Sequence, residues 1–151
     1  MNGLESLYQQ IILDHSKERH GEGLILPQHR SAQNHQYNPT CGDEINLRVE
    51  LNADADRIEQ ISWEGDGCSI SMAAASVLSQ LGQGMQIKEF MRLIEEFRRL
   101  LRSRGQLEPD EELLGDAAAF AGVSRFVARV KCAMLAWVAA EKASEQLLEQ
   151  E

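Results

Sequence analysis

The sequence predicts an α+β fold in which a small antiparallel β-sheet packs against a cluster of α-helices. Two stretches in the first half of the chain, 44–51 and 57–65, alternate apolar and polar side chains as half-buried strands do. After residue 68 the alternation stops and apolar residues recur at helical spacing. Strands followed by helices are typical of an α+β protein. Because 151 residues can bury one core and no linker or repeat divides them, we predict a single domain over 1–151.

The first half of the chain is predicted to hold one helix and three extended segments. Residues 4–17 carry apolar side chains at helical spacing, whereas 18–30 contains two glycines and a proline and is expected to be an irregular connection. Residues 32–37 are the candidate for a short edge strand. The two alternating stretches are joined by NADAD, which is rich in turn-forming residues, so we predict that they form a hairpin.

The second half of the chain is predicted to be helical. The run SISMAAASVLSQL, residues 69–81, begins with serines able to cap a helix and ends at two glycines that can stop it. A stripe of apolar residues predicts a second amphipathic helix over 86–104, and a loop follows. A short helix over 110–120 and a long final helix over 124–149 complete the prediction.

The acidic net charge limits the classes of partner. The formal net charge is −9, whereas proteins that bind nucleic acids or anionic membranes present a basic surface, so we predict neither partner. Residues 88–104 hold six of the fifteen Lys and Arg, and 108–116 hold five acids, which we interpret as two solvated faces. No apolar run is long enough to span a bilayer and the first residues lack a signal-peptide pattern, so a cytoplasmic protein is expected.

Three cysteines are the main candidates for chemistry. They cannot all pair within one chain, and cytosolic thiols stay reduced, so metal binding or thiol chemistry is favoured over a disulfide framework. Cys41 lies in NPTCGD, where a proline and a glycine allow a tight turn before the first strong strand. Asp43 follows two residues later, and in extended geometry the two side chains lie on the same side and could bind one ion.

Cys68 and Cys132 are each balanced between a structural and a chemical role. Cys68 opens the predicted helix 69–81, whose N-terminal partial positive charge favours a thiolate, and the glycines before it leave room beside the sulfur. Cys132 lies inside the final helix, where Arg129, one turn earlier on the same side, could stabilise a thiolate. Taken singly, either cysteine could equally be a buried apolar residue.

Together, the three cysteines and the aspartate make four donors. Three thiolates and one carboxylate suit a tetrahedral zinc site or the ligand set of an iron–sulfur cluster. The spacing is not of the CxxC type, so spacing alone is weak evidence. The histidines all precede Cys41 and are interpreted as surface or loop residues rather than ligands: His15, His20, His29 and His35.

Three motifs in the chain resemble those of a known family. NPTCGDEI, WEGDGCSISMAAAS and ARVKCAMLAWVAAEK together resemble the IscU/NifU N-terminal family of iron–sulfur cluster assembly proteins, and within it the SufU branch. The resemblance runs from about Leu4 to about Lys142. Lys131 stands where the scaffold type of the family has a histidine, and the segment around 98–115 looks like the insertion of the SufU type. Both features favour the SufU branch.

The sequence departs from the family pattern at two places. SKERHGEG, residues 16–23, replaces an asparagine- and proline-rich stretch that is expected to face a partner. Val127 replaces a proline near the start of the last motif, a change that could let the final helix begin earlier. Neither change touches a proposed ligand.

The resemblance implies a site and an activity. The implied zinc ligands are Cys41, Asp43, Cys68 and Cys132, with Arg129 close by as a thiolate stabiliser. The implied activity is sulfurtransferase-like: Cys41 accepts persulfide sulfur from a PLP-dependent cysteine desulfurase of the SufS type, and the sulfur passes to an iron–sulfur assembly complex of the SufBCD type. In the family picture, a histidine of the desulfurase takes over one zinc position and frees Cys41. Zinc would keep the thiolates deprotonated until then, and the hard ligand Asp43 is expected to be the weakest anchor.

Two other functions stay open at this point. The protein could be an assembly scaffold that binds iron or a nascent iron–sulfur cluster in place of zinc. It could also be a zinc-stabilised interaction module without sulfur chemistry, in which metal serves folding alone.

Overall fold

The computed structural model describes residues 3–150 and has the predicted α+β architecture. The elements in chain order are α1 Gly3–Glu18, β1 Ser31–Asn38, β2 Asp43–Leu51, β3 Ile58–Asp66, α2 Ser69–Gly82, α3 Ile87–Arg102, α4 Glu111–Leu114, a 3₁₀ segment Gly115–Arg125, and α5 Val127–Glu149. The end residues of the domain predicted over 1–151 lie outside the described part of the chain. Among the described helices, none has the length and apolar composition needed to cross a membrane.

Three antiparallel strands form one sheet in the order β1–β2–β3. The predicted hairpin is confirmed as β2–β3. The candidate edge strand is longer than predicted, because β1 pairs with β2 along its whole length. β1 is mostly polar, with the sequence SAQNHQYN, so its strand signal was weak. Its pairing creates a second hairpin that places Asn38 opposite Asp43 and Cys41 in the connecting turn.

The outer edge of β3 is partly covered by the connection that follows α1. The Gly23 N–H donates to the Trp63 carbonyl at 2.7 Å, and the Trp63 N–H donates to the Gly21 carbonyl at 2.9 Å. The Arg19 guanidinium lies 5.4 Å from the centroid of the Trp63 ring, within cation–π range. The atypical stretch 16–23 is therefore fixed to the sheet rather than loose.

Helices α2 and α5 form the centre of the molecule. Most of α2 is buried and built from small residues, which lets its neighbours α1, β3 and α5 approach closely. Helix α5 packs on β1, β2 and α2. The Trp137 indole of α5 donates to the Ala74 carbonyl of α2 at 3.1 Å and stacks on Phe97 of α3, with centroids 3.8 Å apart. These contacts fix the position of α5 relative to α2 and α3.

The prediction of one short helix over 110–120 is wrong, because this segment is a single α-helical turn followed by a 3₁₀ segment. Helix α4 is a single turn that stops at Gly115, whose φ of +53° an α-helix cannot continue. The chain then runs as the 3₁₀ segment to Arg125, and Phe126 is extended. Helix α5 consequently begins at Val127, not at 124. Since Val127 takes the first helical position, which suits proline, its substitution does not lengthen the helix.

His15 is not the surface residue that the sequence suggested. It lies on α1 and is only 4% exposed. Its Nδ1 is 2.8 Å from the Ser76 hydroxyl of α2, and its Nε2 is 2.9 Å from an Asp116 carboxylate oxygen of the 3₁₀ segment. The interpretation of His15 as a loop or surface residue is wrong, because the side chain is buried and both ring nitrogens are hydrogen-bonded to other elements of the fold.

One charge of the basic run 88–104 is not solvated. Arg98 of α3 forms a two-pronged ion pair with Glu141 of α5, at N–O distances of 2.9 and 2.5 Å. The side chains are 14% and 18% exposed. Hydrogen bonding to Glu141 raises the pKa of Arg98, against the opposing effect of burial. For this residue the prediction of a solvated face is wrong, and the pair links α3 to α5.

Candidate metal centre

Three parts of the chain meet at the candidate site. The β1–β2 turn carries Cys41, the residue before α2 is Cys68, and Cys132 lies on the second turn of α5. Asp43 is the first residue of β2. The thiols differ in access, because Cys41 is exposed, Cys68 is half-buried and Cys132 is buried.

The β1–β2 turn is closed by its own backbone and by one asparagine. The Gly42 N–H donates to the Asn38 carbonyl at 2.8 Å, and Gly42 has a φ of +72°, which favours glycine. The Asn38 Oδ1 accepts from the Thr40 N–H at 3.1 Å. The Asn38 Nδ2 donates to the Cys41 sulfur at 3.0 Å. The turn thereby holds Cys41 at the open side of the site.

Asp43 lies at the N-terminus of α2, where a negative charge is favourable. It is 1% exposed. Its Oδ1 accepts from the Cys68 backbone N–H at 3.0 Å, and its Oδ2 accepts from the Ser71 hydroxyl at 2.5 Å. The serines predicted to cap α2 do not do so, since Cys68 is the N-cap residue and no side chain of its own helix caps it. The Asp43 carboxylate from β2 lies at that end instead.

Gly67 explains how the carboxylate can reach this position. A Cβ on residue 67 would lie 2.5 Å from the Asp43 Oδ1, which no real contact allows. The glycine in GDGC therefore provides space for Asp43, in addition to allowing the turn into α2.

The donor atoms lie close together. The Cys41 sulfur is 3.3 Å from the Cys132 sulfur and 3.3 Å from the Asp43 Oδ2. The Cys68 sulfur is 3.9 Å from the same Oδ2. The donor atoms of Cys41, Asp43 and Cys132 all lie within 4.8 Å of one another. Cys68 is not part of that group and joins it through the contact with Asp43, so the structure clusters three of the four predicted ligands and places the fourth beside them.

The surroundings of the site favour the ionised form of Asp43 and the protonated form of Cys132. Burial would raise the pKa of Asp43, but hydrogen bonds from Ser71, from the Cys68 backbone and from the Cys41 and Cys132 thiols lower it. Burial strongly raises the pKa of Cys132, and its hydrogen bonds with Cys41 and Asp43 add to the effect. Without a cation the site therefore holds an ionised carboxylate beside a protonated buried thiol.

The residues fit a soft divalent cation. Sulfurs bound tetrahedrally to zinc at about 2.3 Å lie ~3.8 Å apart, close to the 3.3 Å between Cys41 and Cys132. Asp43 forms no ion pair with a basic side chain anywhere in residues 3–150, so its partners are neutral. A buried carboxylate without a cationic partner is costly. A bound cation would supply the missing positive charge.

Arg129 was predicted to stabilise a thiolate of the site, but its guanidinium is not hydrogen-bonded to any of the four candidate ligands. It is exposed on the first turn of α5. Within the described chain its guanidinium makes no hydrogen bond or ion pair. Its role as a thiolate stabiliser stays a prediction.

Two residues of the site were missed from the sequence. Asn38 donates to the Cys41 sulfur, and Ser71 donates to the Asp43 carboxylate. An asparagine followed by proline is a turn signal, which could have indicated Asn38 as the residue that shapes the turn. Ser71 is the third residue of a helix that follows the candidate ligand Cys68, and this position is a weaker indication of a role in the site than the asparagine–proline pair.

A second group of metal-capable side chains lies at the end of α1. Donor atoms of His15, Glu18 and His20 lie within 4.8 Å of one another. Both ring nitrogens of His15 are already hydrogen-bonded, to Ser76 and Asp116. The group therefore offers no free donor from its buried member.

Comparison with protein families identifies the chain's family. Residues 7–144 match the NifU-like N terminal domain family. The matched range includes all four candidate ligands.

Known proteins are similar over nearly the whole chain. The zinc-dependent sulfurtransferase SufU of Bacillus subtilis (strain 168) is 41% identical over 140 residues, which are 92% of this chain and 90% of that protein. The iron–sulfur cluster assembly scaffold protein IscU of Streptococcus pyogenes serotype M1 is 37% identical over 143 residues, 95% of this chain and 86% of that protein. A crystal structure from Fervidobacterium islandicum AW-1, described as a candidate scaffold protein for iron–sulfur cluster assembly in the SUF system, is 28% identical. It superposes with a TM-score of 0.76 over 93% of this chain and 98% of that chain.

Proposed function

This chain belongs to the NifU-like N-terminal domain family of iron–sulfur cluster assembly proteins, and we propose that it acts there as a zinc-dependent sulfur-transfer protein. One observation carries the proposal: the thiols of Cys41 and Cys132 cluster with the buried Asp43 carboxylate, which has no cationic partner in residues 3–150, and the Cys68 thiol contacts the same carboxylate. The similar protein from Bacillus subtilis that is named a zinc-dependent sulfurtransferase supports it.

The proposed ligands are Cys41, Asp43, Cys68 and Cys132. Zinc, when bound, would keep the thiols deprotonated and mask their reactivity. Asp43 is the hard donor in a soft set, so it is proposed as the weakest anchor, which makes the site labile enough for Cys41 to be freed.

Cys41 is the proposed sulfur acceptor because it is the exposed thiol. Cys132 is 3% exposed and lies under the turn, and Cys68 is half-buried at the start of α2. The Cys41 thiolate attacks the outer sulfur of the partner's persulfide. A new S–S bond forms on Cys41, the partner's S–S bond breaks, and the partner cysteine leaves as a thiolate. No external oxidant or reductant is consumed.

The proposed donor is the persulfide of a PLP-dependent cysteine desulfurase of the SufS type. The proposed receiver is an iron–sulfur assembly complex of the SufBCD type. Lys131 supports the SufU branch, since it stands where scaffold-type members carry a histidine beside the last cysteine. Cytoplasmic residence is part of the same proposal.

The test combines metal content with a desulfurase assay. We expect about one zinc per chain and a clear stimulation of a SufS-type desulfurase. Cys41→Ser keeps an oxygen in the site but cannot form a persulfide, so it should abolish stimulation, as should Cys41→Ala. A folded, zinc-loaded protein that leaves the desulfurase unstimulated would overturn the proposal.

A scaffold function is the second candidate. The similar protein from Streptococcus pyogenes is named an assembly scaffold, and three thiolates also suit an iron–sulfur cluster. This function predicts a visible-absorbing species after anaerobic reconstitution with iron and sulfide, and its transfer to an apo-acceptor. A colourless protein that retains only zinc would count against it.

A further inference from the structure

We propose that Asn38 is a positioning residue for sulfur transfer, and that its side-chain amide holds the Cys41 sulfur in the orientation that accepts the sulfane sulfur. The inference rests on the proposed function of Cys41 as acceptor. It concerns a residue outside the proposed ligand set.

The orientation of the Asn38 amide is fixed by the backbone. Asn38 is the last residue of β1 and is 8% exposed. Its Oδ1 accepts from the Thr40 N–H at 3.1 Å, and an N–H can donate only to the oxygen of the amide. The NH₂ group must therefore be the end that faces Cys41, 3.0 Å from the sulfur.

Asn38 also holds the turn through its main chain. Its carbonyl accepts from the Gly42 N–H at 2.8 Å, and its pairing with Asp43 closes the β1–β2 ladder. The same residue thus shapes the turn and contacts the sulfur that the turn carries. If the turn moves, Asn38 therefore moves the Cys41 sulfur with it.

The amide is the one N–H donor to the Cys41 sulfur within residues 3–150. The other contacts of this sulfur are the Asp43 carboxylate and the Cys132 sulfur, both 3.3 Å away. The Asn38 amide N–H is directed at the sulfur because the amide oxygen is held by the Thr40 N–H, so this contact restricts where the sulfur can lie.

Attack on a persulfide requires alignment of the sulfur with the S–S bond to be broken. Rate gains from such alignment are large when the reacting atom is held beforehand. Cys41 lies on an exposed turn, so its side chain would otherwise sample several rotamers. A donor on the buried side of the turn selects the rotamer that keeps the sulfur over the site.

A purely structural role for Asn38 is the competing explanation, and two variants separate it from the proposal. In Asn38→Asp the carboxylate can still accept from the Thr40 N–H, but the donor to sulfur is lost. In Asn38→Ser the hydroxyl can also accept from the Thr40 N–H, without adding charge, and is too short to reach the sulfur. Thr40→Ala is the matched control, because the Thr40 side chain is exposed and its contact with Asn38 uses the main chain.

The first readout is sulfur transfer from a SufS-type desulfurase, with the maximal stimulated rate measured separately from the half-saturating concentration. Both Asn38 variants should lower the maximal rate about tenfold, the worth of one hydrogen bond of ~1.4 kcal/mol. The half-saturating concentration and the zinc content should stay close to wild type, as should all values for Thr40→Ala.

The second readout does not depend on the desulfurase. In the cobalt(II)-substituted protein, loss of an N–H donor to a thiolate ligand should shift the thiolate-to-cobalt charge-transfer band to lower energy. The shift is expected in both Asn38 variants and absent in Thr40→Ala. If the wild-type protein accepts no sulfur, the proposed function fails, while the band still tests the contact. Maximal rates equal to wild type in both Asn38 variants, or an unshifted band in both, would overturn the inference.

Discussion

Asp43 joins the separate parts of the candidate site at the scale of single residues. Its two oxygens contact the start of α2 through Cys68 and Ser71, and one of them faces the Cys41 sulfur. Because no basic side chain in residues 3–150 pairs with it, the carboxylate is stabilised by hydrogen bonds. Changes that disturb this one side chain should therefore be felt first in metal affinity.

Ser71→Ala tests the orientation of the Asp43 carboxylate. The hydroxyl is buried and donates to Oδ2 at 2.5 Å. Groups that orient metal ligands typically contribute about 10–100-fold to affinity, so the zinc dissociation constant should rise by that factor in competition with a chromophoric chelator. Ser79→Ala is the matched control, because Ser79 lies on the same helix and within residues 3–150 its hydroxyl donates only to the Ala75 carbonyl. Equal affinity of Ser71→Ala and wild type would contradict this role.

Gly67→Ala tests the close approach of β2 to the start of α2. The added Cβ would lie 2.5 Å from Oδ1 and 2.9 Å from Cγ of Asp43, so the carboxylate must move. We expect a loss of about 1–3 kcal/mol in the free energy of unfolding, together with weaker zinc binding. Gly122→Ala serves as control, since its Cβ would meet no atom within 4 Å. Full zinc affinity in Gly67→Ala would show that the carboxylate is not a ligand.

The ligand candidates could be predicted from the sequence because cysteine and aspartate carry their chemistry in their residue type. Asn38 and Ser71 could not, because asparagine in turns and serine at helix starts are common for local reasons. Two contacts in the folded structure show that they belong to the site. The Asn38 amide contacts the Cys41 sulfur in the β1–β2 turn, and the Ser71 hydroxyl of α2 contacts the Asp43 carboxylate of β2. For Arg129 the sequence suggested too much. Its helical spacing from Cys132 suggested a contact with the thiolate, but within residues 3–150 its guanidinium makes no hydrogen bond or ion pair.

At the scale of elements, α1 is attached to the region that follows α3 by two side-chain contacts. The Tyr8 hydroxyl donates to Glu111 of α4 at 2.5 Å, and His15 lies 2.9 Å from Asp116 of the 3₁₀ segment. These contacts span about a hundred residues of sequence and fix the irregular α4–3₁₀ region against the N-terminal helix. That region replaces the regular helix predicted over 110–120.

The Tyr8–Glu111 contact predicts a change in stability at high pH. Burial and the Glu111 carboxylate raise the pKa of Tyr8 from 10.0 to about 12. A folded-state pKa above the unfolded value gives a contribution that is fully present below pH 10.0 and is lost as the pH rises toward about 12. Tyr8→Phe should cost roughly 0.5–1.5 kcal/mol at neutral pH, and this difference from wild type should shrink at alkaline pH.

Urea unfolding of both proteins at neutral and at alkaline pH measures this difference. Tyr37→Phe is the control, because the Tyr37 hydroxyl is exposed and forms no hydrogen bond within residues 3–150. A Tyr8→Phe difference that stays constant with pH would contradict the assigned contact.

Elements with a strong periodic pattern could be predicted, and those defined by distant contacts could not. Strands β2 and β3 and helices α2, α3 and α5 follow their apolar patterns to within a few residues. Strand β1 has a polar sequence and becomes a strand because β2 supplies its partners. The 3₁₀ segment follows from the positive φ of Gly115 and from contacts with α1, neither of which leaves a periodic signal.

At the scale of the whole molecule, the apolar core and the candidate metal site are built from different side chains. The largest fully buried side chains come from β3, α3, the 3₁₀ segment and α5: Trp63, Phe90, Phe97, Phe120 and Trp137. The four donor residues do not belong to this core cluster. The fold should therefore survive without metal.

Removal of zinc should lower the stability without unfolding the chain. A ligand at a hundred times its dissociation constant stabilises the folded state by about 2.7 kcal/mol, so chelation should lower the midpoint of thermal unfolding. The far-UV circular dichroism at room temperature should keep its helical signal. Loss of that signal on chelation would contradict the separation of core and site, and would favour a zinc-stabilised interaction module.

The central claim is that Cys41 receives sulfur from a desulfurase while the other cysteines remain in the site. The most direct measurement is a single-turnover reaction of the zinc-loaded protein with a SufS-type desulfurase and cysteine, followed by alkylation and mass spectrometry of the trapped persulfide. The predicted result is a persulfide on Cys41 and none on Cys68 or Cys132. A persulfide confined to Cys68 or Cys132, or no transfer from an active desulfurase, would contradict the claim.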